Sequence, residues 1–218
     1  MKSIIQFGEK VEGYPFPVLN EREIRAAAGI LFLATFISLV LILARGNFVP
    51  VKYFITFFLT DLLIRVLVSP RYSPALIIGR WIVRNQTPEY VGAGPKKFAW
   101  IIGIILSATM FFFFVIVNAY SIITGLTCLV CLLFLFFETA FGICLGCKVY
   151  SWFHKDKAQY CPGEICERKS RQAIQKTSVT QFLIVVLFAG YMAFIIWFAR
   201  DYYGVHPHNL FPATNVKK

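Results

Sequence analysis

The sequence predicts an all-α integral membrane bundle, with about five transmembrane helices, a short interfacial helix and a cytosolic N-terminus. Two observations on the sequence predict it. Hydrophobic residues fill 58% of the 218 positions and charged residues 15%, where a soluble domain carries about 25% charged residues. Several apolar runs also exceed the roughly 18 residues that mark a spanning segment. Lipid then selects helices, because each segment must satisfy its own backbone polar groups.

The elements follow in chain order. Residues 1–25 are polar and form a cytosolic N-terminal segment. They lack a short apolar core followed by small residues, so the first span is expected to serve as an uncleaved anchor. Apolar runs at 26–44, 48–68, 98–117 and 122–147 give a four-helix membrane core over 26–147. The fourth run is long enough to tilt or to project past the hydrocarbon. A fifth span is predicted at 179–199, followed by an external tail at 200–218.

Loop 69–97 contains ALIIGRWIVR, too short to cross, and reads as an interfacial helix with Arg80 and Arg84 snorkelling to water. Loop 148–178 is a second, cysteine-containing cytosolic segment. Five alternating spans put sixteen Lys and Arg on the side of the N-terminus and five on the other. That bias places the N-terminus and both loops in the cytosol. The net charge of +11 is accounted for by these flanking residues, so the lipid bilayer is the partner it implies and nucleic acid is not needed.

Ionisable residues inside spans are candidate functional groups, because burying them in lipid is costly. Asp61 and Arg65 lie four apart on the second run and share a helix face, so they are expected to pair. Glu138 has no partner on its own helix. It is expected to be neutral or to meet a base from another span, since desolvation disfavours its charge.

The six cysteines form three pairs, Cys128 with Cys131, Cys144 with Cys147 and Cys161 with Cys166. Cytosolic placement of the last two argues against permanent disulfides. On a continuous fourth helix, Cys131 and Cys144 would be roughly 20 Å apart along the axis, so the pairs could neither co-ligate nor exchange directly. Cys128 and Cys131 suit packing as small hydrophobes.

Cys144, Cys147, Cys161 and Cys166, with His154 between, give C-x2-C-x13-C-x4-C, whose first half has the spacing of a zinc site. If the helix runs through Cys147, its C-terminal end opposes a thiolate there. Cys161 precedes Pro162 and a charged helical stretch, a placement that stabilises a thiolate. Cys161 is therefore the expected nucleophile, with Cys144 and Cys147 as resolving or ligand thiols and Glu138 handling a proton. Alternatively, Gly142 and Gly146 serve tight helix packing and the cysteines are bystanders. His206 and His208 read as part of a solvated tail.

The stretches SPRYSP at 69–74, GPKKFAWIIG at 94–103 and FETAFGICLGCKVY at 137–150 resemble those of DUF4395, a family of prokaryotic integral membrane proteins of unknown function. The resemblance covers roughly residues 20–150. It implies an inner-membrane protein whose acid is Glu138 and whose cysteine pair is Cys144 and Cys147. It also favours a thioredoxin-like or sulfurtransferase partner.

Three functions are thereby expected in turn. The first is thiol redox or sulfur transfer at the cytosolic face. The second is small-anion transport by a homodimer using Asp61, Arg65 and Glu138. The third is a zinc-clipped scaffold for a cytosolic partner, held by Cys144, Cys147, Cys161 and Cys166.

Overall fold

Asn20 begins the helical bundle by accepting a hydrogen bond from the Arg22 amide at 3.2 Å, with Glu21 and Glu23 in the first turn behind it. Acidic residues there complement the positive end of the helix. In the computed structural model, which describes residues 7–154 and 177–209, this helix is α1 (Glu21–Arg45). It stops at Gly46, whose φ of 61° is the left-handed conformation of a C-terminal cap.

The other α-helices among the described residues are α2 (Val49–Leu63), α3 (Pro74–Ile82), α4 (Ala93–Phe111), α5 (Ile122–Phe141), α6 (Leu145–His154), α7 (Val179–Phe198) and α8 (Arg200–Gly204). Single π-helical turns extend α2 over Ile64–Val68 and α4 over Phe112–Ile116. The chain is all-α apart from two short ribbons. One pairs β1 (Val18–Asn20) antiparallel with β2 (Tyr90–Gly92), and the other pairs β3 (Ala119–Tyr120) parallel with β4 (His208–Asn209).

Four helices are long and apolar enough to cross a membrane: Glu21–Arg45, Ala93–Ile116, Ile122–Phe141 and Val179–Phe198. The second predicted span is helical too, but it carries Lys52, Asp61 and Arg65, all buried. Its charges face protein. The outward faces are apolar, with Leu43, Ile105, Leu126, Leu187 and Trp197 exposed, a pattern that suits lipid rather than water. α7 is exposed along nearly its whole length. It docks through Gln181, which is fully buried and donates to the Arg71 carbonyl at 3.0 Å.

Two expectations about the first loop and the fourth span are corrected. Arg80 on α3 does not snorkel: it is buried and meets Glu23 at 3.0 Å, because Gly79 brings α3 against the backbone of α1. A Cβ at Gly79 would stand 2.6 Å from the Glu23 carbonyl oxygen.

The fourth span does not continue to residue 147. It ends at Phe141, where Gly142 takes φ 66° and its amide closes on the Glu138 carbonyl. A new helix, α6, begins at Leu145 and packs on α4, with Gly146 against Ala99. A Cβ on Gly146 would lie 2.6 Å from the Ala99 Cβ, so glycine sets this approach.

Candidate functional site

The break at Gly142 redirects the chain across the end of the bundle, and three charged groups meet below it. Lys96, in the first turns of α4, places Nζ 2.7 Å from Glu21 Oε2 and 2.6 Å from Glu138 Oε1. It donates hydrogen bonds to Glu21 Oε1 at 3.0 Å and to Glu138 Oε1. One ammonium thus serves carboxylates from α1 and α5, with the Lys96 side chain 4% exposed. Glu138 has its base from another span. Sequence reading counted Lys96 only as a flanking charge and passed over Glu21, since neither lies near Glu138 in the chain.

Above this triad stands the CxxC pair. Cys144 immediately precedes α6, and its Sγ accepts the backbone N–H of Cys147 at 3.3 Å, while its carbonyl accepts the Lys148 N–H at 3.1 Å. The sulfur therefore sits as the N-terminal cap of α6. This reverses the expectation that the pair lies at a helix C-terminus, where the dipole would oppose a thiolate. At a helix N-terminus the backbone amides stabilise one. The signal was present in the sequence: a glycine two residues before a cysteine, at the end of an apolar run, is a helix stop.

At rest, Cys144 keeps its proton. A hydrogen bond with the Cys147 side chain, then burial, then the nearby Glu138 charge hold its thiol above the ordinary thiol range, and Lys96 pulls the other way. The site places two thiols side by side at the start of α6, with Cys144 held in its protonated form.

Two cavities meet at Cys144. A mouth cavity of about 300 Å³ is lined by Glu21, Gly92, Lys96, Cys144, Cys147 and Lys148, among others. A narrower cavity of about 60 Å³ runs into the bundle past Glu138, Leu135 and Trp100 to Cys131 and Arg65. Cys131 and Cys144 thus line one space. α5 still runs ten residues beyond Cys131 before the break at Gly142, about 15 Å of helix, so the two sulfurs lie at different depths of that space.

The model of a domain of unknown function, DUF4395, matches residues 19–155. The chain belongs to the DUF4395 family. No curated protein and no solved structure matches it. The DUF4395 region takes in Glu21, Lys96, Glu138, Cys144 and Cys147, and with them the whole triad and thiol pair. It leaves out Cys161, Cys166 and α7.

The remaining predicted residues fall elsewhere. Cys161 and Cys166 lie outside the described residues, so the proposed four-cysteine set is described only for Cys144 and Cys147. Among the described residues no group of three or more His, Cys, Asp or Glu side chains is arranged to hold a metal; the two thiols present would supply half of a tetrahedral zinc site.

Asp61 and Arg65 do pair, at 2.6 Å. Asp61 also accepts from Ser73 Oγ at 2.7 Å and from the Ala75 amide at 2.9 Å, which fixes the start of α3. Arg65 lies over the Trp100 ring at 5.2 Å. Cys128 is buried in a cluster with Val51, Ile55, Met110 and Phe114. His206 packs edge-on against Phe48, with ring centroids 5.0 Å apart, and Asn118 and the Tyr203 and Val205 carbonyls nearby hold the buried Lys52 ammonium. The start of the predicted tail is anchored through the buried Tyr203 and Pro207, while His206 and His208 are exposed, as expected.

Proposed function

We propose that the chain is a multi-pass inner-membrane thiol protein that exchanges reducing equivalents, or sulfur, with a cytosolic partner. The observation that carries this reading is the Cys147 amide on Cys144 Sγ at the start of α6, beside a cavity open to a substrate. The distribution of basic residues supports a cytosolic location for this mouth.

Cys144 is the attacking thiol and Cys147 the resolving one. Cys144 thiolate attacks one sulfur of an accessible disulfide, forming a mixed disulfide and releasing one thiolate. Cys147 thiolate then attacks Cys144 and releases the second, leaving a Cys144–Cys147 disulfide. The incoming disulfide is reduced and the protein dithiol oxidised, and the two thiol protons pass to the released thiolates. Glu138, tied to Lys96, sets when Cys144 gives up its proton. Cys161 and Cys166 supply further thiols for handing sulfur or electrons to a thioredoxin-like or sulfurtransferase partner.

Thiol trapping in native vesicles, with and without reductant, tests this directly. Cys144 and Cys147 should alkylate after reduction and resist alkylation after mild oxidation. Identical labelling in both states, with no persulfide on either, overturns the reading.

Small-anion transport by a homodimer is the second reading, favoured by the narrow cavity that links Glu138 to Arg65. Anion uptake into proteoliposomes that survives Cys144→Ser and Cys147→Ser but is lost in Glu138→Gln would select it. One zinc per chain, lost on replacing Cys144, would instead select the scaffold.

A further inference from the structure

The CLVC pair of α5 takes no part in the exchange at the mouth. Cys128 and Cys131 are three residues apart, so both lie on one side of α5. Met110 of α4 belongs to the same buried cluster as Cys128, and all three residues line a cavity of about 20 Å³. That is room for one water or one bare ion. Side chains kept only for packing close such a gap. Here three of those around it carry sulfur.

The rest of the cavity narrows the guest. Its two hydroxyls, on Thr35 and Ser107, donate to the Leu31 and Gly103 carbonyls of their own helices, each at 2.7 Å. Its other lining is valine, isoleucine and phenylalanine, with no carboxylate or imidazole among the described residues. Magnesium or calcium would lack the carboxylates they favour, whereas thiolate and thioether are the soft donors that select Cu(I). Charge points the same way. Cu(I) with one thiolate is neutral, with the second thiol and the Met110 thioether as uncharged donors, while Zn²⁺ would need both thiols ionised. Net charge inside the bundle is costly.

Sulfur also marks the way in. The cavity shares Cys131 and Phe58 with the narrower cavity, which shares Cys144 with the mouth. All four described cysteines are free, and each lines at least one of these three cavities.

We infer that Cys128, Cys131 and Met110 form a binding site for Cu(I) inside the helical bundle. Binding exchanges one thiol proton for a copper–sulfur bond; the proton leaves to solvent and no electron is transferred. The site goes beyond the thiol-exchange reading, because it uses other sulfurs.

The test titrates Cu(I), held anaerobically by the chromophoric chelator bathocuproine disulfonate, into the full chain in mild detergent. A first protein carries Cys144→Ser, Cys147→Ser, Cys161→Ser and Cys166→Ser, which leaves the interior pair alone. It should bind one Cu(I) per chain, with sulfur as the only neighbour seen by X-ray absorption. Met110→Leu, which conserves volume, should then weaken binding by about tenfold or more, the least expected for a direct ligand. Cys128→Ala with Cys131→Ala should abolish it. A folded quadruple variant that takes up no Cu(I) overturns the inference, and so does binding that survives loss of both interior cysteines. A second comparison needs no serine changes. The copper content of the otherwise unmodified chain should fall by one ion on Cys128→Ala with Cys131→Ala, and an equal content overturns the site. Since the quadruple variant lacks Cys144 and Cys147, its result leaves the thiol-exchange reading untouched.

Discussion

Lys96 Nζ and Glu138 Oε1 lie 2.6 Å apart, joining the start of α4 to the end of α5 directly beneath the CxxC turn. With Glu21 on the far side of the same ammonium, this contact ties three helices together at the mouth of the bundle. The ion pairs and the thiol turn therefore lie against one another there.

Replacing Lys96 with Met should lower stability by about 3 kcal/mol, because two buried carboxylates lose their common partner. Thermal unfolding in mild detergent measures the loss. Adding Glu21→Gln and Glu138→Gln to the same chain should recover most of it, since the uncompensated charges are then gone.

The reactivity of Cys144 should respond to its neighbours in opposite directions. Glu138→Gln removes a negative charge that holds the thiol protonated, and Lys96→Met removes a positive one that favours the thiolate. At pH 7, alkylation of Cys144 by iodoacetamide should rise roughly three- to tenfold in the first and fall in the second, the effect of half to one pKa unit. Rates measured by quantitative mass spectrometry decide this. Similar rates in all three proteins would show that neither charge acts on the sulfur.

The same raised thiol gives a signed pH dependence. Above about pH 9, the ordinary value of this thiol, the unfolded chain loses the Cys144 proton before the folded chain does. The native state then binds more protons, so stability falls as pH rises through this window. Cys144→Ala should flatten that alkaline slope, as unfolding midpoints between pH 8 and 10 would show.

Asp61 serves the fold. Asp61→Ala strips Arg65 of its carboxylate and removes the acceptor for Ser73 and Ala75, so a loss of about 3–5 kcal/mol is expected. Per folded molecule, oxidation of Cys144 should proceed at the unmodified rate. A variant that stays stable but loses anion uptake would instead assign Asp61 to transport.

Two glycines shape the turn. Gly142→Ala forces a side chain into φ 66°, 3.3 Å from the Arg25 guanidinium, and should cost about 1–2 kcal/mol. Gly146→Ala drives a methyl into Ala99 and should cost about 1–3 kcal/mol. The second should also open the α4–α6 contact, seen as faster alkylation of Cys144 in the fraction that remains folded.

The sequence by itself determined the helical, lipid-facing character of this chain. Long apolar runs are local properties, and lipid leaves their backbones one way to satisfy themselves. It determined the Asp61–Arg65 pair as well, because residues four apart on a helix must be neighbours. It marked Glu138 and the CxxC, and the residues of 137–150 carried the family resemblance. What it misjudged was the direction of the helix at Cys144, where hydropathy ran through Gly142 without a break although the backbone did not.

Only the tertiary structure decided what surrounds Glu138 and Cys144. Glu21 and Lys96 are 75 residues apart in the chain, and no periodicity links them. They meet because β1 pairs with β2, which sets the start of α1 beside the start of α4. A long-range register of that kind depends on packing whole elements together, so the charges beside the thiol become visible only in the folded bundle.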